Sequence, residues 1–163
     1  YIKMIKKYFL LILISLIFST HSYSAGSGGD SEKIDNFKKA HNLIKQAKKY
    51  EQKGKVDKAQ KRFNKAIKYL LISNKEKPNQ PDTLNYLGFA SRKIGNFEIA
   101  EKYYLEGLSI DPNHFGINEY LGELYVNTNR IDKAKERLKI LESCNCEEFE
   151  ELKNAIKQGS SKY

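Results

Sequence analysis

Hydrophobic residues recur with helical spacing along most of the chain beyond residue 31. In the last such segment, Phe149, Leu152 and Ile156 are separated by three and then four residues, which places them on one face of a helix. Between the hydrophobic segments lie helix-breaking pairs such as Gly95-Asn96, where a helix must stop and the chain must reverse. The pattern predicts an all-α chain with seven helices, at about residues 32–53, 56–76, 82–94, 97–110, 115–128, 131–142 and 147–158.

The helical segments repeat with a period of 34 residues. Gly88 aligns with Gly122, and Ala47 occupies the same position in an earlier, more divergent copy that lies 41 residues before the second. The longer offset implies an insertion around Ser73–Gln80, which should lengthen the second helix of the first pair and its exit loop. A period of this length is typical of stacked helix–turn–helix units. We therefore predict three repeats within residues 32–142, at about 40–76, 81–114 and 115–142.

The repeated residues resemble the pattern of the tetratricopeptide repeat (TPR) family, which asks for a large residue, a Leu-Gly pair, aromatic residues, two alanines and a closing proline. The second copy supplies Leu84, Leu87, Gly88, Ala100, Tyr104, Gly107 and Pro112. The third supplies Leu121, Gly122, Tyr125, Ala134 and Leu138, and the first supplies Ala47, Tyr50, Ala59, Phe63 and Ala66. The resemblance implies a helix–turn–helix TPR array of about three repeats that forms a short right-handed superhelix. A Cys-x-Cys segment and a C-terminal capping helix would follow at residues 143–163.

Small residues at the repeated positions predict where the helices touch. Gly88 and Gly122 should let the paired helix approach closely, which a bulky side chain would prevent. Tyr104 and Phe63 should then fill the gap between neighbouring repeats, as should Leu138 in the third copy. In such an array each repeat is expected to contact only its neighbours.

The first 24 residues have the three parts of a secretory signal peptide. Three lysines within the first seven residues precede an apolar run, Tyr8–Phe18, and the small residues Ser22 and Ser24 follow. This order predicts cleavage after Ser24, a flexible linker at residues 25–31 and a periplasmic protein. The apolar run is much shorter than the roughly 20 residues that a transmembrane helix needs. The alternative is that the segment is retained as an uncleaved anchor.

The basic charge of the chain belongs in part to this segment. The full sequence has 29 Lys+Arg and 20 Asp+Glu, a net charge of +9. Removing residues 1–24 takes away three lysines and no acid, which leaves +6. The remaining lysines alternate with Glu and Asp along the helices, a pattern that favours a solvated surface over a nucleic-acid site.

Motifs that carry catalysis are missing from the sequence. Beyond the signal segment the only histidines are His41 and His114, and neither has metal-ligand spacing. The chain has no His-Glu-x-x-His motif, no nucleophile elbow and no Gly-rich phosphate loop. We therefore predict a protein that is not an enzyme and that binds no cofactor and no metal.

Cys144 and Cys146 form the one chemically unusual segment. Some exported TPR proteins carry a cysteine pair just before a closing helix, and this segment is similar to theirs. A disulfide between the two would clip the third repeat to that helix. Intermolecular bridging or inert free thiols are alternatives, as is a redox-active pair. The acidic neighbours Glu147 and Glu148 disfavour the redox-active pair, because they oppose the thiolate form.

The TPR resemblance implies that the first helix of each pair lines a concave groove that binds a peptide or protein partner. Phe89 is the most informative candidate, because an aromatic side chain in an open groove could anchor a peptide, with Arg92 and Lys93 offering charge to a carboxylate. The alternative is that the last helix or a second molecule covers Phe89. The groove candidates are His41, Lys48, Asn85, Phe89, Arg92, Lys93, Glu119, Glu123 and Asn127.

Three hypotheses for function follow from these observations. The first is an exported, non-enzymatic interaction module, for which the signal segment and the repeat argue together. The second is a structural subunit whose array buries its groove by self-association. The third is a thiol-active envelope protein that uses Cys144 and Cys146. The sequence favours the first.

Overall fold

The structure is a computed structural model that describes residues 35–160. These residues form seven α-helices and no β-strand, which confirms the all-α prediction. The helices are α1 (Asn36–Gln52), α2 (Val56–Glu76), α3 (Pro81–Lys93), α4 (Phe97–Ile110), α5 (Phe115–Asn127), α6 (Ile131–Leu141) and α7 (Glu147–Gln158). The predicted signal peptide, linker and start of the first helix lie outside the described residues. Within residues 35–160, no helix has the length and apolar character needed to cross a membrane.

The turn inside each helix pair has the same backbone conformation at the same repeat position. Gly54 and Gly95 have φ angles of 66° and 87°, in the left-handed region that glycine adopts without steric cost. In the third repeat Asn129 occupies this position with φ 57°. Asparagine is among the few other residues that adopt this conformation readily. These residues reverse the chain, so that the second helix of each pair packs back on the first.

The helices stack in chain order. Packing joins α1 with α2, α3 with α4 and α5 with α6, while α2 contacts α3 and α4 contacts α5. The first helices α1, α3 and α5 lie side by side, and α7 packs on both α5 and α6. The insertion predicted around Ser73–Gln80 does lengthen the first pair, because α2 has 21 residues where α4 has 14.

The contact between α3 and α4 depends on the absence of a side chain at Gly88. A Cβ atom there would lie within 2.7 Å of three atoms of the Tyr104 ring. Tyr104 is fully buried and belongs to the same core cluster as Ile117 and Leu121 of the next repeat. The ring therefore fills the space between α3, α4 and the third repeat, as predicted. Phe63 does the same between the first two repeats.

The matching contact in the third repeat involves a different helix. A Cβ atom at Gly122 would lie 2.6 Å from Cδ1 of Leu152, which belongs to α7. Leu138, at the position equivalent to Tyr104, is only partly buried. The prediction that Gly122 accommodates its paired helix is therefore wrong, because the shorter Leu138 leaves room that Leu152 fills. This contact is how α7 closes the stack.

A disulfide joins Cys144 and Cys146 in the segment between α6 and α7. Cys146 is also the residue that precedes the first turn of α7. The pairing lies within the chain, as the structural-clip alternative requires, and it leaves neither cysteine free. The disulfide limits the conformations of the segment from which α7 starts.

Gly122→Ala should destabilise the protein even though alanine normally favours a helix by about 1 kcal/mol over glycine. The added methyl group must displace Leu152, and overpacking of this kind costs about 1–3 kcal/mol. Denaturant unfolding followed by circular dichroism measures the change.

The control is the same substitution in a Leu152→Ala background. Removal of the Leu152 side chain opens the space, so Gly122→Ala should there be neutral or stabilising. Equal destabilisation in both backgrounds would show that Gly122 does not accommodate Leu152.

Candidate partner-binding groove

We define the groove face as the set of side chains that α1, α3 and α5 present on the side where these three helices lie next to each other. The nine groove candidates named above all lie on these three helices. Lys48, Phe89 and Glu123 occupy the same position in the three successive repeats. The structure brings these three residues into one cluster at the centre of the face, with Lys48 over Phe89 and Arg92 linking Phe89 to Glu123.

Phe89 is part of the core. Its side chain is 0% exposed and packs against Phe63, with ring centroids 5.9 Å apart, and against Tyr120 at 5.0 Å. The expectation of an accessible aromatic anchor at Phe89 is therefore wrong. Phe89 comes from α3, the middle of the three first helices. Side chains of the first and third repeats enclose its ring.

Arg92 and Glu123 form a buried ion pair between α3 and α5. Arg92 Nη2 donates to Glu123 Oε2 over 2.8 Å, and the two side chains are 1% and 0% exposed. Lys93 is also paired, because its Nζ lies 2.6 Å from Glu51 Oε1. The two cations expected to receive a peptide carboxylate are thus each neutralised within the chain.

Lys48 crosses the groove face. Its Nζ lies 4.6 Å from the centroid of the Phe89 ring and 5.8 Å from that of Tyr120, in the third repeat. The expectation that only neighbouring repeats touch thus holds for the helix backbones, since α1 does not pack on α5. The expectation is wrong for the side chains, because Lys48 of the first repeat reaches Tyr120 of the third. A lysine reaching over the second repeat to the third indicates that the face is concave at this point.

Carboxyl groups gather where α7 meets α5. Glu119 is 4% exposed and hydrogen-bonds Glu151 of α7. Burial, this hydrogen bond and the nearby Glu123 raise the pKa of Glu119 to about 9. Burial also raises the pKa of Glu123, although the adjacent Arg92 guanidinium opposes the shift. Glu119 is therefore protonated at neutral pH, which lets two carboxyl groups share one site.

Several polar atoms of the groove face are buried without a hydrogen-bond partner in the part of the chain that the structure describes. They are Asn85 Oδ1, Arg92 Nε and Nη1, Glu119 Oε1 and Glu123 Oε1. Folded proteins pair the great majority of such atoms. Asn74 Oδ1 and the hydroxyl of the core residue Tyr104 are also buried without a partner among the described residues, so such atoms are not confined to the groove face.

The rim of the groove face carries accessible aromatic side chains. The exposed His41 packs edge-on against Tyr86, with centroids 5.3 Å apart, and Tyr120 is likewise only partly buried. Asn127 is exposed. Tyr86 and Tyr120 were not among the sequence candidates, although their 34-residue separation, equal to the repeat period, was a signal that could have revealed them.

A second depression, of about 640 Å³, lies away from the groove face between the turns of the second and third repeats. Phe97 and Ile99 line it with large exposed apolar side chains, and the Glu101–Arg130 ion pair forms its polar side. Among residues 35–160, no group of three or more His, Cys, Asp or Glu side chains is placed to hold a metal ion.

Glu119→Gln should stabilise the protein at pH 8 relative to wild type. The folded-state pKa of Glu119, about 9, is raised above its unfolded value near 4.5. The stabilisation from the protonated group is therefore complete below pH 4.5 and is lost as the pH rises through 9. Glutamine needs no proton, so its advantage should grow between pH 5 and 8, with each kcal/mol raising Tm by roughly 3–6 °C. Calorimetry across this range measures it.

The control is Glu106→Gln, which removes one carboxylate from an exposed position on α4 and so measures the effect of net charge alone. A Tm difference between Glu119→Gln and wild type that stays constant from pH 5 to 8 would contradict the raised pKa.

Comparison with known proteins agrees with this architecture. Residues 81–114 match the family model described as "Tetratricopeptide repeat". The comparison with curated proteins gives no match. Among solved structures, the Yersinia enterocolitica type III secretion translocator chaperone SycD aligns with a TM-score of 0.50 and 18% identity over 72% of this chain and 78% of that chain.

Two TPR domains align similarly. The first TPR domain of human RPAP3 has 20% identity and a TM-score of 0.49, covering 74% of this chain and 91% of that one. The Arabidopsis OM64 TPR domain has 13% identity and a TM-score of 0.48, covering 76% and 98%. At such identities structural similarity concerns the fold alone. Residues 81–114 thus match a tetratricopeptide repeat, and the structure places this repeat within an all-α array of three helix pairs and a closing helix.

Proposed function

We propose that this chain is an exported, non-enzymatic interaction module that binds a peptide or protein partner on its groove face. The observation that carries the proposal is the set of accessible aromatic side chains at His41, Tyr86 and Tyr120, above a floor that the buried Arg92–Glu123 ion pair holds in place. They lie on the face that a curved repeat array offers to a ligand.

The rim adds contact area to this polar floor. Tyr86, Tyr120 and His41 are aromatic and accessible, and aromatic side chains dominate the energy of many protein interfaces. The floor beneath them is held by the Arg92–Glu123 ion pair, so a partner would meet a preorganised surface. Binding to preorganised surfaces costs less conformational entropy.

The roles of the two histidines of the mature chain support binding over catalysis. His114 caps α5 by accepting the Ile117 amide at Nδ1, and its Nε2 lies 3.1 Å from Asp82. His41 packs against Tyr86. Each histidine therefore has a structural contact.

Export is supported by the predicted signal segment together with the disulfide. Disulfides persist in oxidising compartments such as the bacterial periplasm and are rare in the cytosol. The Cys144–Cys146 bond lies outside the core, at the start of α7, where cellular reductants could reach it.

Expression of the full chain in a Gram-negative host tests export. The periplasmic fraction should contain a protein whose intact mass corresponds to a chain beginning at Ala25 with both cysteines oxidised. Recovery of the full-length chain in the membrane fraction would support the uncleaved anchor, and recovery in the cytoplasm would contradict export.

Capture from envelope extract after crosslinking tests the groove face. The double variant His41→Ala, Tyr86→Ser should reduce recovery of specific partners about tenfold, since loss of interface side chains of this kind costs on the order of 1–2 kcal/mol. Quantitative mass spectrometry of the captured proteins provides the measurement.

The matched control is Phe97→Ser, Ile99→Ser in the second depression, which also removes two exposed ring or branched side chains. The control should capture partners as wild type does. The reverse result would move the binding site to that depression, and the absence of any specific partner of the wild-type protein would contradict the interaction module itself.

A further inference from the structure

The Lys48 ammonium lies in an environment made of aromatic rings and carboxyl groups. Its distances to the Phe89 and Tyr120 rings, 4.6 Å and 5.8 Å, are within the roughly 6 Å over which a cation is attracted to a ring face. Glu119, Glu151 and Glu123 are the acids whose electrostatic fields act on it. We call these two rings and three acids the cation cage.

The side chains that form the cage are held by contacts of their own. Phe89 is held by Phe63, Glu123 by Arg92, and Glu119 by its hydrogen bond to Glu151. Lys48 reaches the cage from α1 on a flexible four-carbon chain and is only partly buried. Its side chain could therefore leave by rotation about its own bonds while the walls of the cage remain in place.

Occupation of the cage by Lys48 has an energetic cost. Burial lowers the pKa of Lys48, and the carboxyl groups of Glu119, Glu151 and Glu123 oppose that shift. A partly buried ammonium loses hydration, which the rings and acids compensate. Another cation of the same chemistry would interact with the same rings and carboxyl groups. The Lys48 side chain would then no longer be held in the cage.

The charges elsewhere on the groove face favour the same kind of ligand. Arg92 and Lys93, which could have received an acidic group, are already paired with Glu123 and Glu51. If Lys48 swings out, Glu123 remains paired with Arg92 and Glu119 remains protonated, which leaves the Glu151 carboxylate to balance an incoming cation. An acidic ligand would meet these carboxyl groups, whereas a basic side chain would replace the departed ammonium.

We infer that the cation cage is a specificity site that accepts a lysine or arginine side chain of the partner when Lys48 is displaced. This inference rests on the proposed function and specifies its ligand. Lys48 then acts as an internal competitor, which holds the cage closed until a basic segment of the partner enters.

Lys48→Met tests the inference, because methionine keeps the length of the side chain and removes the charge. The probes are two fluorescein-labelled nonapeptides of Gly, Ser and Leu that differ only in carrying three lysines or three glutamates. Removal of the competitor should tighten binding of the lysine peptide about tenfold relative to wild type, measured by fluorescence anisotropy. The glutamate peptide should not gain.

Lys49→Met is the matched control, because it removes the same charge from an exposed position on the same helix. It should leave the lysine peptide's affinity within twofold of wild type. An equal gain in both variants would attribute the effect to net charge and overturn the cage.

Glu151→Gln supplies a second test that does not depend on the folding of the Lys48 variant. It removes one acid of the cage and should weaken binding of the lysine peptide several-fold. Unchanged or tighter binding would overturn the inference, as would failure of the lysine peptide to bind the folded Lys48→Met protein. Preference of the wild type for the glutamate peptide, together with loss of capture by the His41, Tyr86 variant, would refute the cage and leave the interaction module intact.

Discussion

The close approach of helices at Gly88 and Gly122 is the constraint on which the rest of the molecule depends. At Gly88 it seats the Tyr104 ring between α3 and α4, and at Gly122 it seats Leu152 of α7 on α5. The second contact brings Glu151 beside Glu119, so the chemistry at that end of the groove face follows from the packing of a glycine. A side chain at either glycine would separate helices whose polar groups meet only at short distance.

The Arg92–Glu123 ion pair converts this packing into a polar floor. Two opposite charges with almost no exposure give up much of their hydration, and pairs of this kind contribute little net stability. Loss of one partner is costly because it leaves the other charge buried alone. The pair therefore fixes the relative placement of α3 and α5 more than it adds to the free energy of folding. The aromatic rings of Phe89 and Tyr120 pack beside the Arg92 guanidinium, so the ion pair also helps to hold these rings in place.

The groove face thus combines a buried ion pair with a lysine placed over two aromatic rings. Equivalent positions in the three repeats carry a lysine, a phenylalanine and a glutamate, and the curvature of the array gathers them instead of spacing them along an open surface. The basic groups that approach this face are paired or placed over rings.

The fold was predictable from the sequence because its signals are local. Helical spacing, turn residues such as Gly95 and the 34-residue period each depend on a few neighbouring residues, and together they locate all seven helices to within a few residues in the described part of the chain. The same pattern identified the helices that carry the groove face. The sequence also contains none of the common catalytic motifs, which can be recognised because their residues have fixed spacing.

Only the tertiary structure decided which groove residues are exposed and which charges remain available. Phe89 reads from the sequence as an outward-facing aromatic residue, but its burial depends on Phe63, Tyr120 and Lys48, which come from three different helices. The pairing of Arg92 with Glu123 likewise joins residues 31 positions apart. The sequence by itself determined the helices and the repeat, because backbone hydrogen bonds and turn geometry act over a few residues. The curvature of the stack, which sets distances between side chains of different repeats, determined the electrostatics of the face.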